Sequence, residues 1–179
     1  MADEPDAETQ DNAEVAAALG RFLMAYESLD QGLRVVLAEF MCLGITDGHQ
    51  MWSEVYPRVS AVVGHLSYGA VLSSLRALWD ADRMRIPLEH SLLAELQQID
   101  ELRNGVVHAS WTEYGDGAAW RLRFHRHRSS YTSGPLPLSE ITSITARVKA
   151  ASDQVWLMVG PVEEALIRAM DSHDNKSPD

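Results

Sequence analysis

The sequence predicts an all-α protein: an antiparallel bundle of about four main helices, with a small β-hairpin inserted before the last one. Three observations carry this. Val15, Leu19, Phe22, Tyr26, Leu29, Leu33, Val36 and Phe40 recur in alternating steps of four and three, the period of one helix face. Ile141, Ile144, Val148, Ala151, Val155, Met158 and Val162 repeat the pattern near the C-terminus. Between them, residues 119–128 switch to strict alternation, with Trp120, Leu122 and Phe124 against Arg121, Arg123, His125 and His127. That is the period of a strand.

In chain order, residues 1–12 read as a flexible acidic leader, and Asp11 with Glu14 resembles a capped helix start. The first helix follows, and Gly44 is its expected stop. Residues 45–57 hold Gly48, His49, Trp52 and Tyr56 and read as a connection with a short helical turn, closed by Pro57. The second helix comes after Pro57, with Tyr68, Val71, Leu72, Leu75, Leu78 and Trp79 on its apolar face. Asp80, Asp82 and Pro87 mark the next connection, and Ser91 is placed to cap a third helix bearing Leu92, Leu96, Ile99 and Val106. The turn formers Gly115, Asp116 and Gly117 precede the alternating strand, whose partner is expected near residues 130–132, giving a hairpin over about 117–134. The last helix starts near Ser139, and Gly160-Pro161 should kink it or split it in two. A single domain over 13–170 and a disordered tail over 171–179 complete the expected organisation.

Composition narrows the function. A chain of 179 residues is large enough for one domain with a real core. No run approaches the roughly 18 uncharged apolar residues that span a bilayer, so no membrane role is expected. The N-terminus is acidic, where a signal or transit peptide would be basic. Cys42 is the only cysteine, which leaves no intrachain disulfide and no cysteine-based zinc site, and fits a reducing cytoplasm. The formal net charge of -11 argues against a general nucleic-acid binder. Much of that charge lies in the first fourteen residues and the last nine, so the folded part is nearer neutral. There is no Gly-rich phosphate loop after a strand, no GxSxG elbow and no HExxH pair. His125 and His127 share a strand face but lack a third ligand nearby in sequence, so no metal and no other cofactor is expected.

One stretch stands out, residues 101–111 at the end of the third helix. Arg103 fills the step between Ile99 and Val106 on the apolar stripe, so a permanent charge sits in line with core positions. Such a charge needs a carboxylate, a polar cavity or a partner subunit, and Glu27 and Asp30 are the acids to watch. Glu101, Asn104, His108 and Trp111 fall on another face. Arg103 and His108 are roughly 140° apart around a straight helix. They would converge through the reach of the arginine, through a distortion near Gly105, or by meeting a second copy. The structural alternatives are an arginine that anchors an ion pair or interface, and a histidine that caps or packs. The basic strand has two readings as well. Arg121, Arg123, His125 and His127 follow an RNA backbone, or they form a solvated face that blunts a sheet edge.

Arg103-Asn104 followed at His108 resembles the signature of the HEPN superfamily (higher eukaryotes and prokaryotes nucleotide-binding), an Arg, a polar residue and a His four to six residues on. Motif-level similarity is confined to Arg103–His108, within a chain that resembles a stand-alone helical HEPN-like domain over most of 13–170. The resemblance implies a homodimer with paired motif helices and metal-independent RNA endonuclease activity of a toxin or defence type. His108 would be the general acid/base and Arg103 the stabiliser of phosphorus-oxygen charge, with Asn104 orienting imidazole or substrate. The resemblance equally implies the rival class, a non-catalytic homodimer or partner-binding module, with a cognate antitoxin or another protein as its partner. Nucleotide binding is a third option.

Overall fold

The computed structural model describes residues 7–42, 48–80, 90–107, 109–115, 118–125 and 130–174. The fold is all-α in class, with five helices among the described residues: α1 (Ala7–Cys42), α2 (Gly48–Gly64), α3 (Tyr68–Asp80), α4 (His90–Val107) and α5 (Leu138–Asp174). Between α4 and α5 lie three strands, β1 (Ser110–Gly115), β2 (Ala118–His125) and β3 (Ser130–Pro137), in one antiparallel sheet of order β1-β2-β3. The chain divides into two compact units, 1–27 with 98–150 and 28–97 with 151–179. The divisions fall inside α1, α4 and α5, so each unit is assembled from segments distant in sequence.

In the first unit, Val15, Ala18, Phe22 and Tyr26 of α1 are buried, as are Ile99 and Val106 of α4, Leu136 of β3, and Ile141, Ile144 and Val148 of α5. Apart from Ala18 and Leu136, these belong to the stripes expected from periodicity; Leu19, also expected there, is only half-buried beside the buried Ala18. Arg147 Nη2 donates to Gln98 Oε1 at 2.9 Å and joins α5 to α4. In the sheet, β1 pairs with β2 from Ser110↔Leu122 to Gly115↔Ala118, with a register shift between Trp111 and Glu113. β2 pairs with β3 without a shift, from Ala118↔Pro137 to His125↔Ser130. The expected hairpin has two strands over about 117–134; the sheet has a third, β1, which precedes them and reaches Gly115, the first of the expected turn formers.

The second unit buries Leu29, Leu33, Val36, Leu37 and Phe40 of α1 with Val63 of α2, Tyr68, Val71, Leu72 and Leu75 of α3, Leu92 and Leu96 of α4, and Ala151, Val155 and Met158 of α5. Gly32 lets α1 approach α5 closely: a Cβ there would sit 3.1 Å from Val155 Cγ1 and 3.2 Å from the Trp156 indole. Beside it, the Ser28 and Ser152 hydroxyls are 3.2 Å apart, and Trp156 Nε1 donates to Ser28 Oγ at 3.4 Å. Tyr68 Oη donates to the Leu96 carbonyl at 3.4 Å, tying α3 to α4.

Several boundaries differ from expectation. Residues 48–57 are helical, so the expected second helix is two: α2, with Pro57 inside it, and α3, which starts after a turn at 65–67. Proline in a helix interior costs about 3 kcal/mol, and two features offset it here. Val63 is buried, and α2's final carbonyls are captured by Arg34 of α1. Arg34 Nη1 donates to the carbonyls of Val63 at 2.7 Å and Leu66 at 2.9 Å, while Nε and Nη2 grip both Asp30 oxygens at 2.7 and 3.1 Å. Ser67 Oγ accepts from the Ala70 amide at 3.2 Å, capping α3. α1 begins at Ala7, ahead of the Asp11 start and inside the expected 1–12 leader, because Ala, Glu and Gln there are strong helix formers. α5 is not split at Gly160-Pro161 and runs on to Asp174, inside the expected tail, since a proline removes one hydrogen bond and leaves the flanking turns intact. The expected stop at Gly44 lies outside the described residues.

Candidate functional site at the end of α4

Arg103 and Asn104 lie in the penultimate turn of α4, in the first unit. Arg103 continues the stripe of the buried Ile99, so its side chain starts out toward the core. There it meets Tyr26, from the buried stripe of α1. The guanidinium carbon stands 5.3 Å from the centre of the Tyr26 ring, within cation–π range. Arg103 Nη1 donates to Asn104 Oδ1 at 3.1 Å. Its Nε is buried and makes no hydrogen bond among the described residues.

The surroundings of Arg103 differ from expectation in three ways. First, neither watched acid holds Arg103. Asp30 is gripped by Arg34, one helical turn away on the same face, and Glu27 is exposed. Among the described residues Arg103 forms no ion pair. Second, the helical spacing puts Asn104 on a different face from Arg103, yet the two side chains meet. The arginine arm is long enough to bend back over its neighbour, and the amide oxygen is engaged by the guanidinium. Third, Trp111 turns back from β1 to α4. Its Nε1 donates to the Val106 carbonyl at 3.2 Å, satisfying one of the terminal carbonyls of the helix. His108 is in the short segment spanned by that bond and lies outside the described residues.

The basic strand is β2. Arg121 is half-buried and stands opposite Trp111 on one side and Gly134 on the other. Arg123 and His125 occupy positions opposite Thr132 and Ser130, and His127 lies outside the described residues. The register puts the 121, 123 and 125 positions on the sheet face that holds the fully buried Leu136 and the half-buried Trp111. The opposite face carries the exposed Ser133, Pro135 and Pro137. At Arg121 the basic row is therefore on the inward side of the sheet, the side from which Trp111 reaches α4.

The sequence places Tyr26 in the core alone and does not set Arg34 apart. The signal for Tyr26 was a polar-tipped aromatic within an otherwise aliphatic and Phe stripe. For Arg34 it was an acid four residues earlier on the same helix. Cys42 is buried, and burial first, then the nearby Glu39 carboxylate, push its thiol above the usual range. Among the described residues no group of three or more His, Cys, Asp or Glu side chains could hold a metal ion, and no helix is long and apolar enough to cross a membrane. Comparison with protein-family models, with curated proteins and with solved structures returns no match.

Proposed function

We propose that this protein is a metal-independent RNA endonuclease of a toxin or defence type, acting through a composite Arg/His site at a homodimer interface. One observation supports the reading most. The Arg103 guanidinium is oriented by a ring and an amide, neither of which carries charge, so its own charge is not cancelled among the described residues. A phosphate would find a cation already in position.

In the reaction, His108 takes the proton from a ribose 2′-hydroxyl. The 2′-oxygen forms a bond to the adjacent phosphorus while the bond from phosphorus to the 5′-oxygen breaks. That oxygen leaves as a hydroxyl after receiving a proton from water, the other product ends in a 2′,3′-cyclic phosphate, and His108 then gives its proton back to solvent. Arg103 stabilises the charge that builds on the non-bridging oxygens. On a straight helix Arg103 and His108 would stand roughly 140° apart, so a second copy would supply the missing half of each site.

The test is cleavage of total RNA in EDTA by wild type, Arg103→Ala and His108→Ala. We expect cleavage that survives the chelator and falls at least about a hundredfold in each variant. Equal, background-level RNA loss in all three would end the enzyme reading. It would favour the second one, a non-catalytic homodimer or partner-binding module, for which the exposed Leu23, Met24 and Val107 supply apolar contact surface.

A further inference from the structure

We infer that Tyr26 is a positioning residue for Arg103, an inference that rests on the nuclease reading. The residue belongs to α1, far from the Arg-Asn-x-x-x-His element in sequence, yet its ring faces the guanidinium at 5.3 Å. Tyr26 is 7 % exposed, so the ring is fixed by the core around it and cannot swing away.

The choice of an aromatic ring has a functional consequence. A carboxylate would hold the guanidinium equally well but would cancel its charge before a phosphate arrived. A ring attracts the cation through its quadrupole and leaves the net charge intact. Arg103 Nε is buried without a hydrogen bond among the described residues, and Nη1 is taken by Asn104. Ring and amide together fix the plane of the guanidinium, so less of its rotational freedom is lost when substrate binds. Tyr26 touches no reacting atom in this scheme and acts through Arg103.

Tyr26→Phe keeps the ring, and Tyr26→Leu removes it with a modest change in size. We expect Tyr26→Phe to retain kcat/KM within about twofold and Tyr26→Leu to lose roughly tenfold, the scale of one cation–π contact. The same Tyr26→Leu change made in Arg103→Ala should cost nothing further, because there is no guanidinium left to hold. A merely structural tyrosine would give an additive loss in that double variant. Cleavage by wild type with an unaffected Tyr26→Leu, or with additive losses, overturns the role of Tyr26 and leaves the nuclease reading standing. No cleavage by wild type removes both.

Discussion

At the scale of single residues, Tyr26 and Cys42, both buried in α1, behave differently because their surroundings differ. Tyr26 offers its ring to a cation, whereas Cys42 is closed in beside Glu39. Desolvation disfavours the thiolate, and the neighbouring carboxylate adds repulsion to the same effect. The thiol pKa is therefore higher in the folded than in the unfolded chain. By linkage, the folded state gains relative stability below the unfolded thiol's pKa and loses it as the pH rises toward the folded value. Native Cys42 should react with an aromatic disulfide reagent at neutral pH at least about tenfold more slowly than in the denatured chain. Glu39→Gln should speed the native reaction, though not to the denatured rate, because burial is the larger cause. Equal native and denatured rates would show that the thiol is open to solvent.

At the scale of elements, the ends of α2 and α4 are finished by side chains from elsewhere. Trp111 satisfies α4's Val106 carbonyl from β1, and Arg34 satisfies α2's last turn from α1. The second is the stronger device. A cation at a helix C-terminus complements the dipole, and Asp30 holds the guanidinium in register with the carbonyls. Arg34→Ala should cost about 2–3 kcal/mol in urea unfolding. Arg34→Lys should recover only part of that, because an ammonium cannot grip Asp30 with two donors while reaching two carbonyls. A change within about 0.5 kcal/mol for Arg34→Ala would mean that water serves those carbonyls as well. Only half of this clamp was legible in the sequence. The spacing of Asp30 and Arg34 was plain, but the carbonyls belong to a helix that starts within a stretch read as a connection.

For the whole molecule, the proposal turns on symmetry. If each site takes Arg103 from one copy and His108 from the other, the two single variants are complementary. Mixing inactive Arg103→Ala and His108→Ala protein, under conditions where subunits exchange, should restore about a quarter of the wild-type activity: half the dimers are mixed, and each contains one intact site of two. Sedimentation of the wild type should show a dimer at the same concentration. A strict monomer, or a mixture as inactive as its components, would rule out a shared site.

What the sequence by itself determined is the local part of the protein. The four-and-three spacing of Val15 to Phe40 and of Ile141 to Met158 reports which side of a helix is apolar, and those residues are buried apart from the half-buried Leu19. Alternation over 119–128 reports a strand, and β2 runs from Ala118 to His125. The position of Arg103 on a buried stripe was also readable, as was its need for a partner. Tertiary structure alone decided what that partner is. Periodicity is a property of neighbours along the chain, and it carries no information on which distant face comes opposite. Tyr26 and not an acid lies under the guanidinium, and the Arg121 position shares a sheet face with Leu136. Likewise α2 continues through Pro57, because losses in local hydrogen bonding are outweighed by contacts with α1 that no local pattern contains.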